Sequence, residues 1–241
     1  MAMMRLDKLL SDMGIASRSE LRQIIKSGRV TVDGLAVNAP EKRIDSGKAR
    51  ITLDGQLLEY RKFRYFMMDK PSGVLSATED SRQETLLDLL PPELKRLELF
   101  PVGRLDKDTS GLILLTNDGD FAHRVISPKS GIWKLYRARV DGRLDGEDVE
   151  AFEKGLVLGD GTACLPAKLE LLPDGDCLVK VTEGKYHQVK RMLASRGAPV
   201  LMLRRLAIGG LQLDEKLGPG GFRELESREL ELLFGQDALE K

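Results

Sequence analysis

The sequence predicts an α+β protein in which a small N-terminal domain precedes a larger one with a mostly antiparallel mixed sheet flanked by helices. Strand-length apolar runs follow one another irregularly with helical patterns between them, which argues against a regular βαβ repeat. Several of these runs are separated by pairs typical of hairpin turns, at Asp118-Gly119, Asp141-Gly142 and Asp174-Gly175. The length of 241 residues suits one large domain or two smaller ones.

Residues 1–60 predict a compact α/β domain. Apolar residues recur at helical spacing over residues 5–13, and the motif Ser17-Arg18-Ser19-Glu20 is a capping box that starts a second helix. Strands are expected over residues 29–34 and 51–55, each of which ends in an Asp-Gly pair. Four cations share the outer face and the end of the second helix, and they form a candidate RNA-binding surface: Arg18, Arg22, Lys26 and Arg29.

A short polar and basic segment, residues 61–64, is predicted to link this domain to a second domain over residues 65–241. An apolar strand over residues 65–70 ends in Asp-Lys-Pro, and a second capping box at Ser81-Arg82-Gln83-Glu84 predicts a helix that Pro91-Pro92 terminates. Further strands are expected at residues 112–116, 134–140, 168–172, 177–182 and 199–208, and further helices at residues 120–127, 147–155, 187–196 and 228–234.

The charge is distributed unevenly, although the net formal charge is +0. Residues 1–62 carry 12 Lys and Arg against 8 Asp and Glu, and residues 183–206 carry 6 against 1. By contrast, residues 223–241 carry 3 cations against 6 acids. Two separate basic zones indicate a polyanionic partner, although scattered surface cations would give similar totals.

The rest of the composition excludes several classes of protein. Cys164 and Cys177 are too few for a disulfide framework, and His123 and His187 lie in no metal-ligand pattern. Neither a phosphate-binding GxxxxGK[ST] loop nor a GxGxxG motif occurs, and no apolar run reaches the roughly 18 residues of a membrane span. We therefore expect a cytoplasmic, monomeric protein with no metal, no cofactor and no membrane partner.

The most unusual stretch is residues 103–111, which read GRLDKDTSG directly ahead of the apolar run 112–116. Charged groups beside a buried strand must be paired or solvated, so this crowding is costly as structure. The stretch predicts either a functional site, with Asp106 as the candidate carboxylate, or a solvated loop with a turn acid.

Two family resemblances cover nearly the whole chain. Residues 5–10, 17–20 and 28–34 resemble the S4 RNA-binding domain. Residues 103–112, 134–136 and 183–193 resemble three motifs of the RNA pseudouridine synthases. Within that family, residues 123–128 and 184–190 are similar to the branch that acts on small-subunit (16S) rRNA. A large-subunit (23S) target is the alternative.

The resemblance implies that the protein isomerises a uridine to pseudouridine without a cofactor. It implies Asp106 as the group that acts on the ribose, either by attacking C1′ or by removing the C2′ proton. A cation nearby keeps such a carboxylate ionised, and Lys190 is the motif match, with Arg191 as the alternative. The two side chains cannot both face the carboxylate, because adjacent helical residues diverge by about 100°.

The resemblance also implies roles for residues around the target base. Tyr136 would stack on the uracil, and Arg104 would fill the gap left when the nucleotide leaves its stack. Asp108 reads as loop structure or as support for Arg104, and His187 as an orienting or packing residue. The alternative readings are a packing residue for Tyr136 and solvated helix charge for Lys190 and Arg191.

Two other classes of function are also compatible with the sequence. Residues 106–109 superficially resemble the acid-rich loops of enzymes that form an aspartyl phosphate, which need Mg²⁺ and further acids. Alternatively, the chain is a non-catalytic S4 protein that binds the ribosome or takes part in its assembly. In either pseudouridine-synthase reading, the substrate is free rRNA or a partly assembled particle.

Overall fold

The structure is a computed structural model, and it describes residues 3–235. The chain divides into two compact units: the first runs to Arg64 and also includes Leu90–Leu99, and the second comprises Tyr65–Leu89 and the chain from Phe100 onward. The domain limits 1–60 and 65–241 stay a prediction, although Leu90–Leu99, expected in the second domain, groups with the first.

The first unit has the predicted order of two helices followed by short strands. The capping box at Ser17 is confirmed, because its side chain accepts a hydrogen bond from the backbone N–H of Glu20, whose side chain in turn accepts from the Ser17 N–H. Apolar faces of both helices form the core with the small sheet. The elements are β1 (Met3–Arg5), α1 (Leu6–Asp12), α2 (Arg18–Lys26), β2 (Val30–Val32), β3 (Leu35–Ala36), β4 (Arg43–Asp45), β5 (Ile51–Leu53), β6 (Gln56–Leu58) and α3 (Pro92–Lys95).

The strands of this unit form two sheets. The larger one has the order β3-β2-β5-β6 with antiparallel pairing, and β1 pairs with β4 beside it. The predicted strands at residues 29–34 and 51–55 are thus β2 and β5, which are hydrogen-bonded neighbours.

The second unit is built on one large sheet. Its elements are β7 (Tyr65–Lys70), β8 (Phe100–Pro101), β9 (Ser110–Thr116), α4 (Gly119–Ile126), β10 (Lys134–Val140), α5 (Gly146–Lys154), β11 (Lys168–Leu171), β12 (Cys177–Val181), α6 (Gln188–Ser195), β13 (Val200–Ile208), β14 (Leu211–Gln212), β15 (Phe222–Glu224) and α7 (Ser227–Leu232). The strand order is β11-β12-β10-β13-β9-β7-β15, with β14 beside β13 and β8 beside β9. Among the described strands only β9 and β13 pair in parallel, so the predicted mostly antiparallel mixed sheet is confirmed.

The parallel contact between β9 and β13 requires glycine at position 111. Gly111 has φ +102°, and a Cβ atom there would lie 2.2 Å from the carbonyl oxygen of Arg205. Only a residue without a side chain allows the two backbones to approach this closely. The approach fixes β9, and with it the preceding loop that carries Asp106, against the middle of the sheet.

Two sequence predictions around residues 81–92 are wrong. The predicted helix from Ser81 does not form, because Leu75 accepts the backbone N–H of Leu86 and donates its own N–H to the carbonyl of Glu84, two groups that a helix would pair internally. Pro91-Pro92 does not end a helix there; Pro92 begins the short helix α3, where its fixed φ suits the first turn.

The pairs Asp118-Gly119 and Asp141-Gly142 were also expected to form hairpin turns, but each leads from a strand into a helix. Instead, Asp118 is the N-cap residue of α4, and its side chain accepts the backbone N–H of Phe121 at 3.1 Å. The same residue types serve both purposes, because a short polar side chain caps a helix as readily as it supports a turn.

Candidate active site

Asp106 lies on the loop between β8 and β9, and α6 faces it across a cleft. The Nζ atom of Lys190 on α6 lies 3.1 Å from one carboxylate oxygen of Asp106, and the Nε2 atom of His187 lies 3.5 Å from the other. The Asp106 side chain is 27% exposed, so it is held by the protein and still open to a substrate.

Lys190 joins the two acids of this loop. Its ammonium also forms an ion pair with Asp108, which lowers the pKa of that carboxyl. Burial opposes the charged form of Lys190, but its hydrogen bonds with Asp108 and Asp106 outweigh burial and raise the pKa of the Lys190 ammonium. Lys190 is therefore a cation at neutral pH. Asp108, expected to be loop structure or support for Arg104, forms an ion pair with Lys190.

A cavity of about 70 Å³ brings four of the predicted site residues together. Asp106 and Lys190 line it together with Tyr136, which is half-buried on β10, and Arg104, which is exposed. These residues lie far apart in the sequence, and the sheet and α6 place them around one small space.

Arg191 does not contribute to this cluster. Its guanidinium forms an ion pair with Asp160 and donates to the backbone carbonyl of Tyr186 at 3.4 Å. Because it follows Lys190 directly on α6, its side chain points in a different direction. The cation beside Asp106 is thus Lys190, and the alternative partner, Arg191, is engaged elsewhere.

A buried lysine that was not predicted from the sequence, Lys70, holds the loop that carries Asp106. Lys70, at the end of β7, is fully buried, and its Nζ atom donates to the backbone carbonyls of Pro71, Lys107 and Thr109 at 2.9–3.1 Å. Burial lowers the pKa of Lys70 to about 8. The signal in the sequence was a lysine that ends an otherwise apolar strand, where a buried cation needs partners.

Tyr136 is supported from the neighbouring strand. Arg205 on β13 is buried, donates to the carbonyl of Leu112 at 2.7 Å, and reaches the Tyr136 hydroxyl with Nη1 at 3.4 Å. Within residues 3–235, its Nη2 atom has no hydrogen-bond partner. The contact fixes the Tyr136 phenol at the edge of the cavity. From the sequence, Arg205 was recognised only as one of the cations of the basic zone, residues 183–206.

Two of the four predicted RNA-binding cations of the first unit lie beside a buried acid. All four are exposed, and Arg18 and Arg22 lie 4.0 and 3.6 Å from the fully buried carboxylate of Asp7. Arg5 binds the same carboxylate with two hydrogen bonds of 2.8–3.0 Å. The hydrogen bonds from Arg5 hold the pKa of Asp7 below its ordinary value despite burial.

The other two cations of that surface lie apart from Asp7. Arg29 is held by Asp54 through two hydrogen bonds, one of them 2.8 Å long. Lys26 lies exposed in the last turn of α2. The structure thus brings Arg18 and Arg22 together around one acid and engages Arg29 with another.

Residues 3–235 contain neither a cluster of metal-binding side chains nor a membrane-spanning helix. No three His, Cys, Asp or Glu side chains come together in a way that could hold a metal ion. No helix in that part of the chain is both long enough and apolar enough to cross a bilayer.

The cleft offers the partly exposed carboxylate of Asp106, the Lys190 ammonium beside it, and an aromatic ring at its wall. A carboxylate placed in this way can act as a nucleophile or as a general base towards a bound sugar. The ring offers a face on which a planar base can stack, and the exposed Arg104 lies at the mouth. The arrangement suits chemistry on a nucleotide.

Comparison with known protein families gives matches over both units. The family described as RNA pseudouridylate synthase matches residues 64–195, and the S4 domain matches residues 4–49.

Individual relatives match over almost their full length. An uncharacterized RNA pseudouridine synthase of Bacillus subtilis, YtzG, is 46% identical over 234 residues, which is 95% of this chain and 98% of the relative. The ribosomal small subunit pseudouridine synthase A of Escherichia coli is 38% identical and covers 94% of this chain and 98% of its own. A crystal structure of a pseudouridylate synthase matches with a TM-score of 0.67 and 35% identity, over 95% of this chain and 99% of that one.

Proposed function

Because the chain belongs to the RNA pseudouridine synthase family and carries an S4 domain, we propose that it isomerises one uridine of small-subunit (16S) rRNA to pseudouridine without a cofactor. The choice of the small subunit rests on relatives named ribosomal small subunit pseudouridine synthase A, which are 38–40% identical over nearly the whole chain. A 23S rRNA uridine is the alternative target.

The observation that carries the proposal is the Asp106–Lys190 pair in a cleft that Tyr136 also lines. The reaction needs one carboxylate at the ribose and a surface that holds the detached base. Lys190 holds the carboxylate in place through an ion pair of 3.1 Å, while the 27% exposure of Asp106 leaves it open to the sugar.

The reaction changes which atom of the base is joined to the sugar. In one route Asp106 attacks C1′ as the N1–C1′ bond breaks, and the uracil leaves with the bonding electrons. The base turns, C5 attacks C1′ and displaces the carboxylate, C5 loses its proton, and N1 gains one. In the other route Asp106 removes the C2′ proton while the N1–C1′ bond breaks and the uracil leaves with the bonding electrons, which gives a glycal. After the base turns, C5 bonds to C1′ as the proton returns to C2′, C5 loses its proton, and N1 gains one.

The remaining residues of the cleft hold the substrate. Tyr136 stacks on the uracil and assists the loss of the C5 proton, with Arg205 fixing its hydroxyl. Arg104 occupies the space that the flipped nucleotide leaves in the RNA. Arg191, engaged with Asp160, contributes positive charge to the edge of the cleft rather than a contact with the carboxylate.

The S4 domain captures the rRNA through phosphate contacts. Arg18, Arg22, Lys26 and Arg29 are exposed and lie on or beside one helix, which suits positioning on structured RNA more than sequence readout. The protein acts as a monomer in the cytoplasm, on free rRNA or on an assembling small subunit.

The test is a map of pseudouridines in rRNA from cells with and without this protein. We expect one site to disappear from 16S rRNA without the protein and to return with wild type but not with Asp106→Asn. Loss of a 23S site would move the target to the large subunit. An unchanged map would contradict the proposal and favour a non-catalytic ribosome-binding protein.

A second assay addresses the aspartyl-phosphate alternative. Purified protein should convert its rRNA fully in the presence of EDTA, because the proposed steps use only side chains of the chain. Activity that EDTA removes and Mg²⁺ restores would contradict the cofactor-free mechanism.

A further inference from the structure

Tyr186 is an exposed aromatic residue next to His187, which lines the cleft, and none of the steps proposed above uses it. Its side chain is 75% exposed, although aromatic rings usually bury most of their surface. One face of the ring lies on His187, with 3.9 Å between ring centroids and 18° between the planes. The high exposure leaves the opposite face of the phenol ring to solvent.

His187 connects this ring to the reacting carboxylate. Its Nε2 atom lies 3.5 Å from Asp106, and His187 itself lines the cleft cavity. His187 thus turns an edge towards the carboxylate and a face towards Tyr186. A substrate strand whose ribose meets Asp106 would therefore pass close to the open face of Tyr186.

The backbone that presents the two rings is fixed by buried polar contacts. His187 has φ +47° and ψ +34°, a left-handed conformation uncommon for residues other than glycine. Directly after it, the buried Gln188 accepts the Lys185 N–H at 2.9 Å and donates to Glu183 at 2.7 Å. The two rings are therefore held in place before any substrate binds, as a preorganised binding surface requires.

An unpaired nucleobase is the ligand that this surface fits. When a target nucleotide leaves its stack, the neighbouring base loses a stacking partner. Exposed aromatic side chains take up such bases, because every base offers a flat π face. We propose that Tyr186, backed by His187, is the stacking platform for the nucleobase adjacent to the target uridine. This inference rests on the proposed function of the cleft.

The experiment compares three substitutions of Tyr186. Tyr186→Ala removes the ring, Tyr186→Phe keeps it without the hydroxyl, and Tyr186→Leu keeps apolar surface without a π face. Affinity for small-subunit rRNA is measured in an Asp106→Asn background, so that no turnover occurs. KM and the rate at saturating rRNA are measured in the otherwise wild-type enzyme.

We expect Tyr186→Ala and Tyr186→Leu to weaken rRNA affinity and raise KM by about 5- to 100-fold, the effect of losing one base–aromatic stack. The saturated rate and the thermal midpoint should change little, because the ring is exposed. The slope of affinity against salt should stay as in wild type, since no phosphate contact is lost. Tyr186→Phe should behave like wild type.

Three results would overturn the platform: wild-type affinity in Tyr186→Ala, wild-type affinity in Tyr186→Leu, or a Phe variant as weak as the Ala variant. A different result would contradict the proposed function without contradicting the stacking platform. If the wild-type enzyme makes no pseudouridine on any rRNA while the Ala variant still binds RNA more weakly than wild type, the catalytic assignment is wrong and the stacking surface stands.

Discussion

Asp106 and Asp7 each form ion pairs with basic side chains, but the two clusters differ in whether the acid or the cation is the more buried partner. Asp7 is completely buried, and the arginines around it, Arg5, Arg18 and Arg22, have half-exposed side chains. Asp106 is partly exposed, and its cation, Lys190, is the more buried partner, with 20% of its side chain exposed against 27%.

The difference indicates what each cluster presents to RNA. The cluster around Asp7 keeps the acid inside and offers guanidinium groups to phosphates. The cluster around Asp106 keeps most of the cation inside and offers a carboxylate to the substrate. Under the proposed function, an ion pair of the same chemistry would serve capture in one unit and reaction in the other, depending on which partner is buried.

Removing the reactive carboxylate should have the largest effect. Asp106→Asn should lower the rate of pseudouridine formation by about 10⁴-fold, which is the upper end of the range for a general base and the lower end of that for a nucleophile. Binding to rRNA should survive. Asp108→Asn is the matched control: it lies on the same loop and also contacts Lys190, but its side chain is 74% exposed, and we expect a change below about 10-fold.

Equal losses in Asp106→Asn and Asp108→Asn would show that the loop, rather than one carboxylate, supports the activity. Loss of rRNA binding in Asp106→Asn would assign Asp106 a structural role. Single-turnover rates and filter binding on the same preparations separate these results.

Removing the cation beside the carboxylate should have the next largest effect. Lys190→Met should lower the single-turnover rate by about 10- to 100-fold, the range for a hydrogen bond to a charged group. Lys190→Arg keeps the charge and should retain most activity. Because the pKa of Lys190 is raised above its ordinary value, the wild-type ion pair should persist from neutral pH up to about pH 10. A Met variant as active as the Arg variant would contradict the pairing.

For Asp7, the buried acid of the first unit, we expect the opposite of what the change in charge alone would suggest. Asp7→Asn makes the RNA-binding face more positive, yet we expect rRNA binding to weaken by about 5-fold, since charged hydrogen bonds that orient the arginines are lost. The thermal midpoint should fall as well. Glu41→Gln removes the same charge from an exposed site and should not weaken binding. Tighter binding by Asp7→Asn would refute the organising role.

The smallest effects should come from substituting single arginines of the RNA-binding face of the first unit. Arg22 lies 3.6 Å from Asp7, whereas Arg29 is already held by two hydrogen bonds to Asp54. Arg22→Gln should reduce the slope of log affinity against log salt by about 1, as expected for one lost phosphate contact. Arg29→Gln should reduce it less. The reverse order would place the RNA on the Asp54 side of the domain.

Local signals predicted the elements well where no distant group competed. The motif at Ser17 and the motif at Ser81 have the same S-x-x-E pattern, but only the first caps a helix. At the second, Leu75 binds the Glu84 carbonyl and the Leu86 N–H, two groups that a helix would pair internally. The sequence does not reveal that competition, because it depends on tertiary contacts.

The site was predictable in its parts rather than in its full set of contacts. Family motifs indicated Asp106 and Lys190, and helical geometry allowed only one of Lys190 and Arg191 to face the carboxylate. The buried anchor Lys70 and the second contact from His187 were missed, since each depends on the chain returning to the loop from a distant position. The S4 arginines were indicated by their exposed face, but their arrangement around Asp7 was not.

The most direct test of the central claim is hydrogen release from C5 of uridine, because the isomerisation replaces the C5–H bond by a C5–C1′ bond. Purified protein is incubated with 16S or 23S rRNA that carries tritium at C5 of uridine. We predict release of one tritium equivalent per molecule of 16S rRNA, none from 23S rRNA, and none with Asp106→Asn. Release that persists in Asp106→Asn, or no release from either RNA by the wild type, would contradict the account.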